Sequence, residues 1–356
     1  VGRLRTHEGV NKAIELAEIT GSSVRTSATS GPLSFPERHP LCGEGYNKDY
    51  DYVLGLESDG KNTSIQGPTL LSRADKRDLS NIGFGFIRKP VIPPRRDLSG
   101  ENDLTADAEA SIPIIIEEYK RILKADNISD TAEKIRLDTS ANIRKHEKDL
   151  KQTLNKKRKG WDSSPVSLGR LYAELWPLIK DLDWCLSSPT VFSSRHHVGM
   201  WEHNKPYSYL GMHGAGGIGY CIGASAGAGL AAKTRNRIVI NIQCDGDLNY
   251  TPGSLWTAAH HNLPLLTIMH NNRGYHQEVM YLQYMAGVRG RGTDRMHIGT
   301  TLREPFIDYA KLAEAYGMNN EGPIDNPNEL SAAYKRGINS VLSGEPYLID
   351  VITEPR

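Results

Sequence analysis

The chain has 356 residues, of which 38% are hydrophobic and 24% charged, so we expect a packed globular protein of two or three domains. Its formal net charge of +1 gives no general attraction to nucleic acid or to anionic membranes. No run of about 18 apolar residues predicts a membrane span, and no segment has the pattern of a signal peptide.

Residues 1–125 have the pattern of an α/β domain. Apolar positions from Val10 to Ala17 fall on one helical face, and Ser22–Val24 lead towards a strand. We also predict a strand over Asp49–Ser58 and an amphipathic helix over Ala106–Ala125. Because the chain begins at Val1, directly before the first helix, we expect that it was separated from a longer protein.

Residues 126–165 are highly charged, and the stretch 144–162 has few large apolar groups. A patch that binds nucleic acid or membrane is one interpretation. Glu147 and Asp149 dilute the positive charge, however, and aromatic residues are not interleaved with it, since Trp161 lies only at the end of the stretch. We therefore interpret this segment as a solvated linker or connecting helix.

Residues 166–356 alternate between predicted helices and strands. The expected helices are Ser167–Ile179, a helix that begins in the glycine-rich stretch before Lys233, and Ser254–Asn262. The expected strands are Asn236–Gln243, Leu263–His270 and Pro346–Thr353. This alternation predicts a parallel sheet with helices on both faces. The whole chain is therefore expected to be α/β with two domains, and ligands should lie at the carboxyl ends of the strands.

The four cysteines are widely spaced and form no C-x-x-C pair; they are Cys42, Cys185, Cys221 and Cys244. Zinc sites and dithiol redox sites use closely spaced cysteines. Reduced, partly buried thiols are the expected state, which suits a cytoplasmic protein.

A literal G-x-G-x-x-G runs from Gly214 to Gly219. A dinucleotide-binding motif of this form should follow a strand and open a helix. The preceding stretch, Asn204–His213, contains Pro206 and many polar residues, so it is a poor strand. Binding of NAD is therefore disfavoured. The other interpretations of the glycines are binding of another diphosphate and simple close packing of the helix.

Two polar clusters follow predicted neighbouring strands. Asp245, Gly246 and Asp247 come after the first strand, and Asn272 follows Asp245 by 27 positions. The crossover rule brings two such strands close together in one sheet, so the clusters can face a common point. Carboxylate, amide and backbone carbonyl oxygens are ligands for Mg²⁺, although Asp and Asn are also ordinary helix caps.

This pair of clusters resembles the metal and diphosphate signature of thiamine-diphosphate-dependent enzymes, with Cys244 in place of the usual first glycine. Similarity to the acetolactate synthase and pyruvate decarboxylase group extends over most of the chain, from Ser34–Gly45, which resembles part of their middle domain, to the C-terminus. The resemblance implies that residues 1–125 are a partial middle domain and residues 166–356 the diphosphate-binding domain. Some relatives also bind FAD in the middle domain, and no motif here indicates it.

The resemblance also implies roles for individual residues. Asp245, the side chain of Asn272 and the carbonyl of Gly274 would ligate Mg²⁺, and Gly246 and Asp247 would lie along the diphosphate. Ile218 would support the bent cofactor, while the carbonyl of Gly216 would accept a hydrogen bond from its pyrimidine amine. The bound cofactor would act as the electron sink for C–C bond cleavage or formation on 2-oxo acids or acyloin-type substrates.

Glu278 lies six positions after Asn272, where decarboxylases of this family carry a glutamate that transfers protons. We expect it to be a buried acid/base residue, with an exposed helical glutamate as the alternative. His276 and His213 are weaker candidates, since a lone histidine is more often structural. The segment Gly287–Arg295 is either a loop that closes over the site or an ordinary surface loop.

The family's pyrimidine-binding domain, which activates the cofactor, has no counterpart in the chain. The resemblance implies that a second chain, or a severed N-terminal segment, supplies it in a homo- or hetero-oligomer. A non-catalytic regulatory or scaffold protein that retains the fold is the alternative. An NAD-dependent dehydrogenase is a third hypothesis, disfavoured by the poor strand before Gly214.

Overall fold

The computed structural model describes two compact units. The described residues are 4–24, 35–36, 38–42, 54, 56, 106–125, 158–187, 200–211 and 217–355, with scattered helical positions between 134 and 156. One unit comprises residues 1–150 with 203–208, and the other comprises 151–202 with 209–356. The expected strand over Asp49–Ser58 lies almost entirely outside the described residues.

Two packed helices are the main described elements of the first unit. Helix α1 (His7–Thr20) begins where the Thr6 hydroxyl accepts a hydrogen bond from the amide of Gly9, and α2 (Ala108–Ala125) packs against it. Val10 and Ala13 of α1 share one apolar core with residues of α2. Both helices were expected, and the expected face of α1 is the buried one.

A parallel sheet of five strands forms the centre of the second unit. The strands are β1 (Trp184–Leu186), β2 (Ile238–Cys244), β3 (Leu265–Asn271), β4 (Asn319–Ile324) and β5 (Tyr347–Ile352), in the order β1-β2-β3-β5-β4. All four strand pairs are parallel. The predicted α/β fold with a parallel sheet is confirmed.

Helices cover both faces of this sheet. The second unit contains α3 (Leu168–Ile179), α4 (Tyr220–Ala232), a single turn α5 (Asp245–Leu248), α6 (Gly253–His260), α7 (His276–Val288), α8 (Tyr309–Ala315) and α9 (Leu330–Leu342). On one face, α4, α6 and α8 bury a core with Val239, Leu265 and Leu348 of the strands. Helix α9 packs on β3 and β5 and also contacts α3.

The middle strands are buried along their whole length. Every residue of β3 is buried, and only the last residue of β2 is partly exposed. Such apolar strands are typical of a parallel sheet covered on both faces. The edge strand β4 instead contains Gly322 and Pro323 and is mostly exposed, as an edge position permits.

All four cysteines lie within the described residues, and none of them forms a disulfide bond. Within the described ranges, no helix combines the length and the apolar character that crossing a bilayer demands.

Candidate functional site

The two polar clusters lie at the same edge of the sheet. Strands β2 and β3 are parallel neighbours, with Cys244 opposite His270 in the register. Asp245 therefore follows the end of β2 where Asn271 ends β3, and Asn272 comes next. The two clusters therefore lie together at the carboxyl ends of adjacent strands, as expected.

Asp245 is buried with both carboxylate oxygens held by backbone amides. Its side chain is 1% exposed; Oδ1 accepts a hydrogen bond from the amide of Gly246 at 2.8 Å, and Oδ2 accepts one from the amide of Gly274 at 3.0 Å. Burial raises the pKa of this carboxyl to about 6, although the amide hydrogen bonds act in the opposite direction. A buried carboxylate with remaining lone pairs is a site where a cation is favourable.

Asn272 presents a buried oxygen that has no partner. Its Nδ2 lies 3.2 Å from Nε2 of His270, whereas Oδ1 is buried and makes no hydrogen bond with any described residue. Leaving such an acceptor unsatisfied costs about 1–3 kcal/mol. The oxygen thus fits a ligand that the protein itself does not supply.

The two glycines of the clusters are required by protein atoms beside them. A Cβ on Gly274 would lie 2.8 Å from the backbone oxygen of Thr300, which cannot move aside freely. A Cβ on Gly246 would lie 2.4 Å from Cε1 of the Tyr275 ring. At Gly246 the space that a side chain would occupy is therefore filled by this ring.

Asp247 is engaged inside the protein. Its Oδ1 accepts a hydrogen bond from the amide of Gly219 at 2.7 Å, and its Oδ2 accepts one from Nε2 of Gln243 at 2.8 Å. The Thr251 hydroxyl donates to the carbonyl of Gly219 at 2.6 Å. The backbone amide and the carbonyl of Gly219 are therefore both hydrogen-bonded to residues that follow β2.

Ile218 precedes this fixed glycine and keeps a 49% exposed side chain. Helix α4 begins at Tyr220, as the glycine-rich pattern predicted. No strand is assigned to residues 200–211, and Tyr209 forms only an isolated bridge with Leu186. The context required for a dinucleotide motif is therefore not met in this described stretch, while His213 and Gly216 lie outside the described residues.

Glu278 differs from our expectation of burial. It lies in the first turn of α7 and is exposed. The physical reason is that α7 has no buried residue, since nothing in the described chain packs over its outer surface. The expectation of a buried carboxyl is wrong for this chain by itself.

His276 begins the same helix, and its side chain contacts the backbone of the polar cluster after β3. Its Nε2 lies 3.3 Å from the carbonyl oxygen of Asn272 and donates to it. Burial lowers the pKa of the half-buried imidazole, which favours its neutral form. This contact secures the turn between Asn272 and α7. The segment Gly287–Arg295 is exposed and contains the end of α7 followed by turns.

A third element contributes to this site, and no pattern in the sequence indicated it. Tyr309, the first residue of α8, is buried, and its hydroxyl donates to the backbone oxygen of Asp245 at 3.2 Å. Asn249 Oδ1 lies 3.3 Å from the same hydroxyl. An amphipathic pattern predicts a helix but does not predict that one of its tyrosines contacts a residue 64 positions away.

The donor set fits a cation that other oxygens help to hold. Among the described residues, no group of three or more His, Cys, Asp or Glu side chains could hold a metal alone. Asp245 and the unpartnered Oδ1 of Asn272 are hard oxygen ligands, and a hard cation such as Mg²⁺ commonly completes its shell with phosphate and water. The site therefore fits a phosphate-bound Mg²⁺ better than a cage made only of protein.

Residues 192–351 match the sequence family described as "Thiamine pyrophosphate enzyme, C-terminal TPP binding domain". A probable acetolactate synthase large subunit of Methanocaldococcus jannaschii is 27% identical over 200 residues, 55% of this chain and 32% of that protein. A benzoylformate decarboxylase of Pseudomonas aeruginosa is 31% identical over 153 residues, 43% of this chain and 26% of that protein. The match thus spans about a third or less of these relatives' length.

Solved structures have the same fold over nearly the whole chain. A thiamine diphosphate-dependent 4-hydroxybenzoylformate decarboxylase of Rhodococcus jostii aligns with a TM-score of 0.63 at 18% identity, covering 98% of this chain and 59% of that one. A putative thiamin diphosphate-dependent enzyme from Mycobacterium smegmatis aligns with a TM-score of 0.60 at 19% identity, covering 98% and 59%. At this level of sequence identity, the structural similarity shows a shared fold.

Proposed function

We propose that this chain, whose residues 192–351 match the C-terminal TPP binding domain of thiamine pyrophosphate enzymes, is a thiamine-diphosphate-dependent enzyme. It would bind thiamine diphosphate with Mg²⁺ and take part in C–C bond cleavage or formation. The proposed substrates are 2-oxo acids or acyloin-type compounds, and the proposed reaction is that of a decarboxylase, a lyase or an acetolactate synthase-like carboligase. The observation that supports this best is the buried, unpartnered Oδ1 of Asn272 next to the end of β3.

We propose that Asp245, the side chain of Asn272 and the carbonyl of Gly274 hold the Mg²⁺. The hydrogen bond from the Gly274 amide to Asp245 already joins the first and last of these ligands. Binding a cation would also offset the burial of the Asp245 carboxylate and satisfy the Asn272 oxygen. The diphosphate and water would complete the shell, as the small number of protein ligands requires.

We propose that the glycine-rich turn holds the cofactor through the carbonyl of Gly216 and the exposed side chain of Ile218. Gly246 would lie beside the diphosphate, and Asp247 would act by fixing Gly219, since both of its carboxylate oxygens are already used. When bound, the cofactor supplies an electron sink for breaking or making a bond to a carbonyl carbon. The protein's part is to hold and orient it.

Glu278 is the proposed acid/base residue, with His276 and His213 as secondary candidates. An exposed carboxylate is a weak catalyst of proton transfer at neutral pH, because effective acid/base groups are shielded from water and matched to the working pH. Glu278 therefore needs a covering surface that the described chain does not provide. This requirement links catalysis to a partner.

The outer surface of α7 is the proposed docking place for a pyrimidine-binding domain, from a second chain or an N-terminal segment. This helix has no buried residue and exposes large apolar side chains; these are Met280, Tyr281, Leu282, Tyr284 and Val288. Contiguous apolar surface of this kind marks interaction sites. A homo- or hetero-oligomer would cover it and shield Glu278.

Calorimetry of thiamine diphosphate binding tests the metal site. The native particle should bind the cofactor only when Mg²⁺ is present, and Asp245→Ala should abolish that binding. The control is Asp325→Ala, which removes an exposed carboxylate from the turn after β4. Near wild-type affinity in Asp245→Ala would contradict the metal assignment.

The composition of the native particle tests the partner. A denaturing intact-mass spectrum should contain a second polypeptide, or a severed segment, large enough to form the pyrimidine-binding domain. Turnover of 2-oxo acids should then require both components. A particle with this chain alone, unable to bind cofactor with Mg²⁺, would instead support the alternative of a non-catalytic scaffold protein.

A further inference from the structure

Three buried polar side chains lie in a row at the carboxyl edge of the sheet. Nδ2 of Asn272 is 3.2 Å from Nε2 of His270, and Nδ1 of the same imidazole is 2.6 Å from the hydroxyl of Thr353. All three residues are buried. The row runs from the end of β3 to the residue after β5, and its free end is the unpartnered Oδ1 of Asn272.

The donors and acceptors in this row are consistent with one arrangement. An amide nitrogen can only donate, so Nε2 of His270 must be the acceptor. A neutral imidazole then carries its proton on Nδ1, which donates to the Thr353 hydroxyl. With the proton on Nε2 instead, two donors would face each other and the Asn272 amide would have to turn its oxygen towards the ring.

The orientation of that amide decides which atom a cation would meet. With Nδ2 directed at His270, Oδ1 is available as a ligand; with the amide reversed, an NH₂ group would take its place and oppose a cation. We propose that His270 is a positioning residue, which accepts the hydrogen bond from Nδ2 and thereby keeps Oδ1 of Asn272 free for the metal. This inference rests on the proposed function of the site.

The backbone around His270 is well placed to hold the ring still. His270 is paired with Cys244 of β2 on one side and with Val351 of β5 on the other. The amide of Thr353 donates to the carbonyl of Asn271 at 2.9 Å, which fixes the hydroxyl's position relative to β3. Groups that orient metal ligands in this way commonly change metal affinity by about 10- to 100-fold when they are removed.

The arrangement can be tested without any ligand. Long-range ¹H–¹⁵N correlation spectra report which imidazole nitrogen carries the proton, and the His270 signals are those lost in a His270→Gln variant. We expect a neutral ring protonated at Nδ1, together with a shifted side-chain amide signal of Asn272 that moves in His270→Phe. A proton on Nε2 of His270 would overturn the inference.

Metal binding gives a second test, with Mn²⁺ as the paramagnetic probe and thiamine diphosphate present. His270→Phe keeps a ring but removes the acceptor, so Mn²⁺ affinity should fall about 10- to 100-fold. His270→Gln places an amide oxygen near the former Nε2 and should restore most of the affinity. Ile268→Val, a conservative substitution at a buried position on the same strand, should leave affinity unchanged.

The outcomes separate the two proposals. If the wild-type protein does not bind Mn²⁺ with thiamine diphosphate, the proposed function fails. If the wild-type protein binds, Asp245→Ala does not, and His270→Phe equals the wild type, the role of His270 alone is overturned. Equal losses in His270→Phe and Ile268→Val would likewise overturn it, because general destabilisation would then explain the effect.

Discussion

The amide of Gly274 donates a hydrogen bond to Oδ2 of Asp245 at 3.0 Å, across 29 residues of chain. This bond joins the ends of two neighbouring strands before any ligand is present. The second carboxylate oxygen is held by the amide of Gly246. The carboxylate is thus fixed in place while it is buried, and the energetic cost of its charge becomes measurable as a dependence of stability on pH.

Stability without metal should fall as the pH rises from about 4 to about 6. Burial raises the pKa of the Asp245 and Asp350 carboxyls to about 6 each, against about 4 in an unfolded chain. Between these values the unfolded chain is ionised while the folded chain keeps its protons, so ionisation favours unfolding. Two pKa units correspond to roughly 3 kcal/mol per group at most.

Urea unfolding across this range, followed by the fluorescence of the buried Trp184 and Trp201, measures the effect. The difference in the free energy of unfolding between wild type and Asp245→Asn isolates the contribution of the Asp245 carboxyl. The same difference for Asp350→Asn isolates the contribution of Asp350. Mg²⁺ with thiamine diphosphate should remove the Asp245 part alone, because a bound cation favours the ionised carboxylate. If the free energy of unfolding of the wild type, minus that of the variant, instead increases with pH, the raised pKa values are contradicted.

Gly246→Ala and Gly227→Ala should change stability in opposite directions. The new methyl at position 246 would meet the Tyr275 ring at 2.4 Å, and overpacking of this kind costs about 1–3 kcal/mol. At position 227, within α4, a Cβ has nothing within 4 Å, so alanine should stabilise the helix by about 0.5–1 kcal/mol. Denaturant midpoints of the two variants provide the comparison.

The same substitution in a Tyr275→Ala background tests the cause. If the ring is what the methyl meets, the loss from Gly246→Ala should shrink once the ring is absent. An undiminished loss would mean that the backbone at Gly246, rather than its neighbour, requires glycine.

Much of the second unit was predictable because its strands are buried on both faces. Strands β2 and β3 are mostly apolar and each is followed by polar residues, which located the site at one edge of the sheet. Strand β1 (WCL) is too short to be recognised from its pattern, and β4 (NNEGPI) gives neither an apolar run nor an alternating pattern. Their places are determined by the neighbouring strands and not by local preference.

The parts of the site that escaped prediction depend on contacts between distant residues. The hydroxyl of Tyr309 and the imidazole of His270 enter the site only after the chain has folded, and no spacing encodes those contacts. Glu278 shows the reverse case, in which a local spacing was recognised but the expected burial is not found in the described chain. Sequence motifs located the proposed metal ligands, whereas the groups that contact those residues could be found only from coordinates.

Glu278→Gln should slow turnover of the native particle by about 10²-fold or more while cofactor affinity stays unchanged. The amide keeps the size of the side chain but cannot exchange a proton at neutral pH. Glu314→Gln, at another exposed helical position, is the matched control and should have no effect. Single-turnover kinetics with a 2-oxo acid provide the measurement, and an unaltered rate in Glu278→Gln would exclude this residue from proton transfer.

Asp247→Asn should weaken cofactor binding, and Gln243→Glu should restore part of it. In the wild type, Asp247 accepts hydrogen bonds from both the Gly219 amide and Gln243. An asparagine has one accepting end, so one of these donors would face an NH₂ group, and losing such a buried bond costs about 1–3 kcal/mol. A glutamate at position 243 would accept from that NH₂ group and leave the asparagine oxygen for Gly219.

The double variant therefore distinguishes two roles for Asp247. If the carboxylate acts by holding Gly219, the charge can move to position 243, and both stability and thiamine diphosphate affinity should partly recover in the double variant. If it contacts the bound cofactor directly, affinity should stay low although stability recovers. Asp325→Asn, in an exposed turn, controls for loss of negative charge, and calorimetric titration together with urea unfolding separates the two quantities.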